Sequence, residues 1–548
     1  MPDRNNSQHR ERMRIVDLVV PLESAAEPRE HLVRLLARNT GVAPEFLAGL
    51  TVVRRALDAR KKPPRFVFAV EIDADPALAQ ALRKRSGAQV VSRPRRGRWV
   101  LERAPDGPRP VVVGAGPAGL FAALTLAQGG WPPRVFERGK AVHERARDVS
   151  ALYARGILDR ESNVCFGEGG AGTFSDGKLY TRGHDERVAR VLETFVARGA
   201  DPDILVSSRP HLGTDRLIAL LTDIRTHLIR LGATVEFGQR VARLDIRDAA
   251  LRGAMLADGT SVDSRAAILA TGHSAREIWQ ALEQVGVSLE ARPFAMGFRI
   301  EHPQGLIDTL RYGRWSGNPA LPAADYRLAY NEPDGCGVYS FCMCPGGVVV
   351  PTPTEPDALC INGMSHASRA GRFANSALVV SVTLEDLAQA GHTGLYAGVH
   401  AQQASEAAAY AAGGGHFVAP GCRVTDFLAQ KISTDLPKTS YRRGLAPADL
   451  AALYPAPVIA ALRRALVRFD SSMRGFVTNE ATLIGVETRT ASPIRVLRGE
   501  DFQAHGAGGL YPAGEGMGYG GGIVSSAVDG IRAAEAMLQA NGASWRQD

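Results

Sequence analysis

Cysteine is scarce in this sequence: six residues in 548, with no two spaced Cys-x-x-Cys. That excludes a thioredoxin-type dithiol motif and a zinc knuckle, and no metal site is expected. So few thiols in so long a chain fit a reducing compartment, and a cytoplasmic location is expected. Long apolar runs are missing as well. The longest, Pro110 to Ala127, is interrupted after Val113 by Gly114, Gly116, Pro117 and Gly119. This predicts no transmembrane helix and no stable membrane association. The opening stretch Met1 to Arg14 is polar and basic, without the apolar core of a secretory signal. Residues 1–13 are expected to form a disordered tail.

Acidic residues run short in one region only. Residues 1–108 hold 21 Lys and Arg against 13 Asp and Glu, while the remaining 440 hold 44 of each. The net charge of +8 therefore belongs to the N-terminal fifth. Lysine is rare throughout, with seven residues beside 58 arginines. Glycine is abundant, at 58 residues, against a usual ~7%.

The patterning predicts an α/β protein in several parts. Residues 14–104 read as a basic α+β module with an Arg/Pro-rich linker, in the order β-α-β-β-α, which suggests a ferredoxin-like arrangement. A basic loop, Asp58-Ala-Arg-Lys-Lys-Pro-Pro64, parts two of its strands. Residues 109–285 and 475–540 read as a Rossmann-like dinucleotide domain. Residues 286–474, rich in strands and in Gly/Pro loops, read as an inserted β-rich α+β substrate domain.

Gly114-Ala-Gly-Pro-Ala-Gly119 matches G-x-G-x-x-G in the right context. A buried strand precedes it, a helix follows, and Glu137 closes the next strand 18 residues after Gly119. Gly114 permits the tight turn, Gly116 lets a pyrophosphate approach the backbone, and Gly119 lets the helix pack against the strand. Pro117 and Ala118 open the helix, whose free amides and dipole suit a phosphate. Glu137 suits the two ribose hydroxyls. A second such unit, of the kind that binds NAD(P)H, is not found, so NAD(P)H is at most a transient electron donor.

Three further segments narrow the cofactor. Ala266-Ala-Ile-Leu-Ala-Thr-Gly272 and Leu510-Tyr-Pro-Ala-Gly-Glu-Gly516 are strand ends running into small-residue turns. The second leads through Gly520–Gly522 into a helix. Phe166-Gly-Glu-Gly-Gly-Ala-Gly-Thr-Phe-Ser-Asp-Gly-Lys178 is a loop with no bulky residue between Gly167 and Thr173, which lets the backbone approach a planar ring. The Thr271-Gly272 and Gly514-Glu515 turns resemble those of flavoproteins of the glutathione-reductase-type superfamily. Together with Tyr339–Gly347, Gly485–Pro493 and Leu510–Ala534, the glycine loop resembles the bacterial FAD-dependent dehydrogenases of undefined substrate, also called NAD(FAD)-utilising dehydrogenases.

That resemblance spans roughly residues 14–538 and implies bound FAD. Carried over by position, it puts Gly114, Gly116, Pro117, Ala118, Gly119 and Arg147 at the pyrophosphate. Glu137 and Arg138 fall at the adenosine ribose and Val241 at the adenine. Gly170, Ala171, Gly172, Thr173 and Lys178 fall at the isoalloxazine. Thr271, Gly272, Gly514, Glu515, Gly521, Gly522 and Ile523 close the site. Where the family commonly has Asp, this chain has Glu515.

Ser175, Asp176 and Lys178 are the candidate catalytic residues, because they sit on the glycine loop. Lys178 would raise the flavin potential electrostatically, or else form a surface ion pair. Cys342 and Cys344 read as structural thiols or a redox pair, His273 as a flavin-facing or capping residue. Arg489 holds either an anionic substrate or an internal salt bridge. The leading reading is an FAD-dependent oxidoreductase (a dehydrogenase) acting on a small molecule. The alternative is an RNA-associated flavoprotein, such as a tRNA-modifying enzyme, using Arg54, Arg55, Arg60, Lys61, Lys62, Arg93, Arg95, Arg96 and Arg98. Against it, the basic module shows no aromatic stacking platform. A third reading, a polyene or prenyl oxidoreductase, calls for membrane-surface helices that the sequence does not show.

Overall fold

A computed structural model of the chain describes residues 10–92, 97–181, 183, 185–333 and 335–547. Most of the tail expected over residues 1–13, and Arg93, Arg95 and Arg96 of the linker, lie outside them. Glu11 to Met13, counted with that tail, already belong to the first strand, Glu11–Pro21.

At the centre is a five-stranded parallel sheet in the order Leu510–Pro512, Ala267–Leu269, Val111–Val113, Arg134–Glu137, Thr234–Phe237. Its inner strands are uniformly apolar because both faces are covered. The helix Pro117–Gln128 is buried nearly all round, between this sheet and the helix Ile523–Ala540. Glycine permits that approach. A Cβ on Gly530 would stand 2.1 Å from the Ala118 carbonyl oxygen, and one on Gly119 would stand 1.9 Å from the Gly114 oxygen. Gly114 itself has φ +101°, in the left-handed region.

Residues 289–303 lead into an eight-stranded, largely antiparallel sheet built on Phe294–Pro303, Gly337–Pro351, Phe373–Val382 and Ala419–Arg423. Its apolar face packs on helices Ala397–Ala412 and Ala456–Ser472. The strand Thr482–Glu487, assigned by sequence to the 475–540 dinucleotide segment, lies in this sheet between Phe294–Pro303 and Ala419–Arg423. All six of its residues are buried, a pattern that suits either sheet.

The N-terminal strands form an antiparallel sheet in the order Thr51–Asp58, Arg65–Ala74, Glu11–Pro21, Gln89–Val90. Helices Pro28–Thr40 and Pro76–Ser86 complete a βαββαβ layer. Its edge strand Thr51–Asp58 docks on the body through backbone bonds from Arg55 N to Val206 O (2.6 Å) and from Ser208 N to Arg55 O (2.8 Å). Within the Arg/Pro-rich linker, Gly97–Val100 forms a strand instead of irregular chain, paired with Ser544–Gln547 and with Trp99 set edge-on against Trp545.

The helix crossing is testable. Gly530→Leu is expected to destabilise the protein by about 1–3 kcal/mol, as overpacked cores do, read as a lower denaturation midpoint.

Candidate functional site

Four parallel strands end at one place. The turns after Val113, Glu137, Leu269 and Pro512 converge at their carboxyl ends, where open α/β sheets bind ligands. A cavity of about 880 Å³ lies there, within the range of small-molecule sites. Its roof is the segment Tyr339–Pro345 of the antiparallel sheet, with Arg489 and Thr490.

Most of the residues proposed from sequence line this cavity: Gly114, Gly116, Pro117, Ala118, Glu137, Arg138, Gly170 to Gly172, Lys178, Val241, Thr271, Gly272, Gly514, Glu515 and Gly521 to Ile523, with Ser175 and Asp176. Gly119 sits behind the turn, against Gly114 and Val112. Two helices, Pro117–Gln128 and Ile523–Ala540, open on the cavity with glycine N-caps and no side-chain cap. Their first amides are therefore available to an anion. Added Cβ atoms at Gly272, Gly521 and Gly522 would meet only open space, and the buried Oγ1 of Thr271 has no hydrogen-bond partner. Burial pushes the Glu515 carboxyl up to about 7, although the Gly522 amide opposes the shift.

Arg147 and Thr173 are not among the residues that line the cavity. Arg147 is on the exposed face of the helix Val142–Arg155. Arg145, one half-turn earlier, is fully buried. Its guanidinium donates to the carbonyls of Asn163 (2.8 Å), Val164 (2.8 Å), Glu168 (2.6 Å) and Gly170 (2.9 Å), and stands 4.9 Å from the Phe174 ring centre. Burial lowers its pKa to about 10, so it stays charged. Thr173 lies beneath the loop, donating to Glu168 O at 3.2 Å. Helical phase carries the missing signal: Arg145 shares its face with Val142, Val149 and Leu152, and Arg147 does not.

Glu137 already holds three amides, of Ala115 (2.8 Å), Gly139 (2.9 Å) and Gly167 (2.9 Å). It therefore ties the phosphate turn to the glycine loop. Arg138 stacks on Phe166 at 3.8 Å and pairs with Glu161 and Glu277.

The candidate catalytic residues divide. The Ser175 hydroxyl closes its own turn, donating to Gly172 O at 2.7 Å and accepting from Gly177 N at 3.0 Å. Asp176 is buried and accepts from Ser365 Oγ at 2.5 Å and from Arg369 Nε at 3.0 Å, with Lys178 Nζ at 3.1 Å. Burial would raise its pKa, but Lys178 and Arg369 outweigh that and hold it below the usual carboxylate range. Ser365 and Arg369 lie 189 and 193 residues downstream of Asp176, and no local pattern marks them.

Lys178 faces Cys342 and Cys344. Cys344 is buried, and burial raises its thiol pKa against the pull of Lys178, whereas Cys342 is exposed. Arg489 resolves as an internal ion pair. It clasps Glu406 (2.8 and 2.9 Å) and also donates to Ser274 and Thr354. Arg276 shares the same carboxylate at 2.9 Å. Burial, followed by these two cations, lowers the His273 pKa to about 4, and its Nδ1 lies 2.9 Å from Ser274 Oγ.

Arg145→Leu is expected to free the 163–173 loop at a cost on the order of 3 kcal/mol, since several buried carbonyls lose their donor. Limited proteolysis should then cut within that loop, which the wild-type protein protects.

Residues 293–490 match the family model "FAD-dependent protein, C-terminal domain-like", and residues 12–73 match "Domain of unknown function (DUF8436)". Among solved structures, the chain is similar to the glycerol-3-phosphate dehydrogenase from Bacillus halodurans complexed with FAD. That match has 9% identity over 82% of this chain and 67% of that one, at a TM-score of 0.34. It is also similar to a mutant of 2-methyl-3-hydroxypyridine-5-carboxylic acid oxygenase, with 12% identity over 80% and 83% of the two chains, at a TM-score of 0.33. Scores this low carry no argument about activity. A protein of Clostridium beijerinckii described as "Uncharacterized protein" is 40% identical over 529 residues, covering 93% of this chain and 96% of that one. The chain belongs to the same family as this clostridial protein.

Proposed function

We propose that the protein is an FAD-dependent oxidoreductase, a dehydrogenase in the leading reading, that acts on a small molecule in this cavity. One observation carries the reading. Two uncapped helix N-termini and four strand ends face a glycine-walled cavity in which Thr271 Oγ1 is buried without a partner. The residues present fit FAD. When bound there, FAD supplies the hydride or electron transfer.

The chain supplies binding and orientation. The amides after Gly116 and the glycine backbone at Gly114 hold the pyrophosphate. Glu137 keeps lone pairs for the ribose while its amide bonds fix its position, with Arg138 beside it. Val241 offers backbone to the adenine. The Gly170–Gly172 backbone lies against the ring, and Thr271, Gly272, Gly514, Glu515, Gly521, Gly522 and Ile523 enclose the other end. Lys178 is the one cation of the glycine loop, and Asp176 holds it in place. Ser175 and Asp176 act as positioning residues.

The comparisons give NAD(P)H no support as the donor. The RNA-associated alternative is not favoured, because much of the basic module's charge is internally paired. Arg12 pairs with Asp73, Arg14 with Glu71, Arg55 with Asp203 and Arg60 with Asp58. Lys62 donates to the Arg311 carbonyl.

Purified protein is expected to carry visible flavin absorption; a colourless folded preparation that takes up no added FAD defeats the reading. Thr271→Val is expected to weaken FAD binding roughly twofold to tenfold, the net worth of one hydrogen bond of ~0.5–1.5 kcal/mol, by fluorescence titration.

Glu515 gives a pH signature in the FAD-free protein. Its folded pKa, about 7, lies above the ordinary carboxylate value. Its contribution to stability is therefore full at acid pH and is lost as pH rises towards 7. Denaturation midpoints of wild-type protein should fall through that window relative to those of Glu515→Gln.

A further inference from the structure

A second and larger cavity, of about 2320 Å³, separates the N-terminal sheet from the rest of the chain. We propose that this cleft binds a soluble organic phosphate and is the entrance through which such a substrate reaches the flavin cavity. The second half of the statement rests on the flavin reading above.

Charge is the first ground. Twelve arginines and six aspartates line the cleft, with no lysine and no glutamate. Most of the aspartates are spent. Asp58 holds Arg60 and Arg65, Asp203 holds Arg55, and Asp325 holds Arg209. Asp215 accepts from the Ala367 amide, and Asp201 caps its own turn. Arg54, Arg216, Arg327 and Arg474 are exposed and have no side-chain partner among the described residues. They enter the cleft from four separate segments. Unpaired guanidinium groups in a walled cleft focus a positive potential and present planar forks suited to phosphate oxygens.

Continuity is the second ground. Tyr180, Arg209, Asp325, Arg327 and Arg369 line both this cleft and the flavin cavity. A molecule whose phosphate is held at Arg216 and Arg327 can therefore extend its uncharged end past the Arg209–Asp325 pair towards the ring site.

The wall favours discrete anionic groups over a nucleic-acid strand. Aspartates interrupt the basic surface, and of the tyrosines there only Tyr180 is exposed, whereas single-strand binding uses a row of stacking rings.

The test is calorimetric titration of the full-length protein, with its flavin, using inorganic tripolyphosphate as the probe. The wild-type protein should bind it saturably. The double variant Arg216→Ala/Arg327→Ala should bind at least tenfold more weakly, with unchanged flavin absorbance and unchanged circular dichroism. Arg216→Lys/Arg327→Lys should recover part of the loss. Arg247→Ala, on an exposed strand elsewhere, should match wild type. No saturable binding to wild type, or equal binding by the double variant, overturns the proposal. So does an oligoribonucleotide that binds tighter than tripolyphosphate through the same arginines. Arginine-dependent binding by a colourless preparation keeps the cleft and removes the flavin reading, so the two fail separately.

Discussion

The site depends on one buried cation. A guanidinium taken out of water costs several kcal/mol unless its donors are all used. Arg145 meets that condition with backbone carbonyls of the glycine loop in place of a carboxylate. The loop needs the help, since it has almost no side chains with which to pack, and glycine loses the most conformational freedom on folding. From the other side, Glu137 takes the Gly167 amide and Glu168 takes the Val142 amide at the start of the Arg145 helix. Charge therefore fixes in place a backbone that apolar packing cannot hold.

The roof uses the same device. Arg299 is fully buried and pairs with Glu487 at 2.7 Å. It also donates to Asn375 Oδ1 and to the Cys342 carbonyl, each at 2.7 Å. Alongside, Glu406 binds both Arg489 and Arg276, which leaves one positive charge in excess beside the Thr271–His273 turn. The neutral state of His273 follows from that excess together with its burial. The cavity is thus enclosed largely by paired buried ionic groups, while the Thr271 and Tyr326 hydroxyls that line it are, among the described residues, buried without a partner.

The glycine motifs were legible because their requirement is local. At Gly114 a positive φ is needed, and at Gly119 a Cβ collides with the chain five residues earlier. Contacts between distant segments were not legible. Arg145 and Arg147 look alike until helical phase separates them. Thr482–Glu487 is an apolar run that either sheet could bury, and only pairing with Phe294–Pro303 decides. Counting charges in the basic module overstated its free charge, because Arg12 and Arg14 face Asp73 and Glu71 across paired strands. Asp176, singled out for its place on the loop, proved to be bound by residues from a remote part of the chain.

The central sheet takes adjacent strands from residues 111–113, 267–269 and 510–512, and the helix that covers it comes from residues 523–540. Such pairing over hundreds of residues carries a large loop-closure cost before any contact repays it. While the chain is being made, the N-terminal βαββαβ layer has all its strands within the first 90 residues. In the dinucleotide half, one edge of Ala267–Leu269 and one face of the apolar helix Pro117–Gln128 stay uncovered until the last strand and helix emerge. The layer made first can close first, and the dinucleotide half closes only with its last helix.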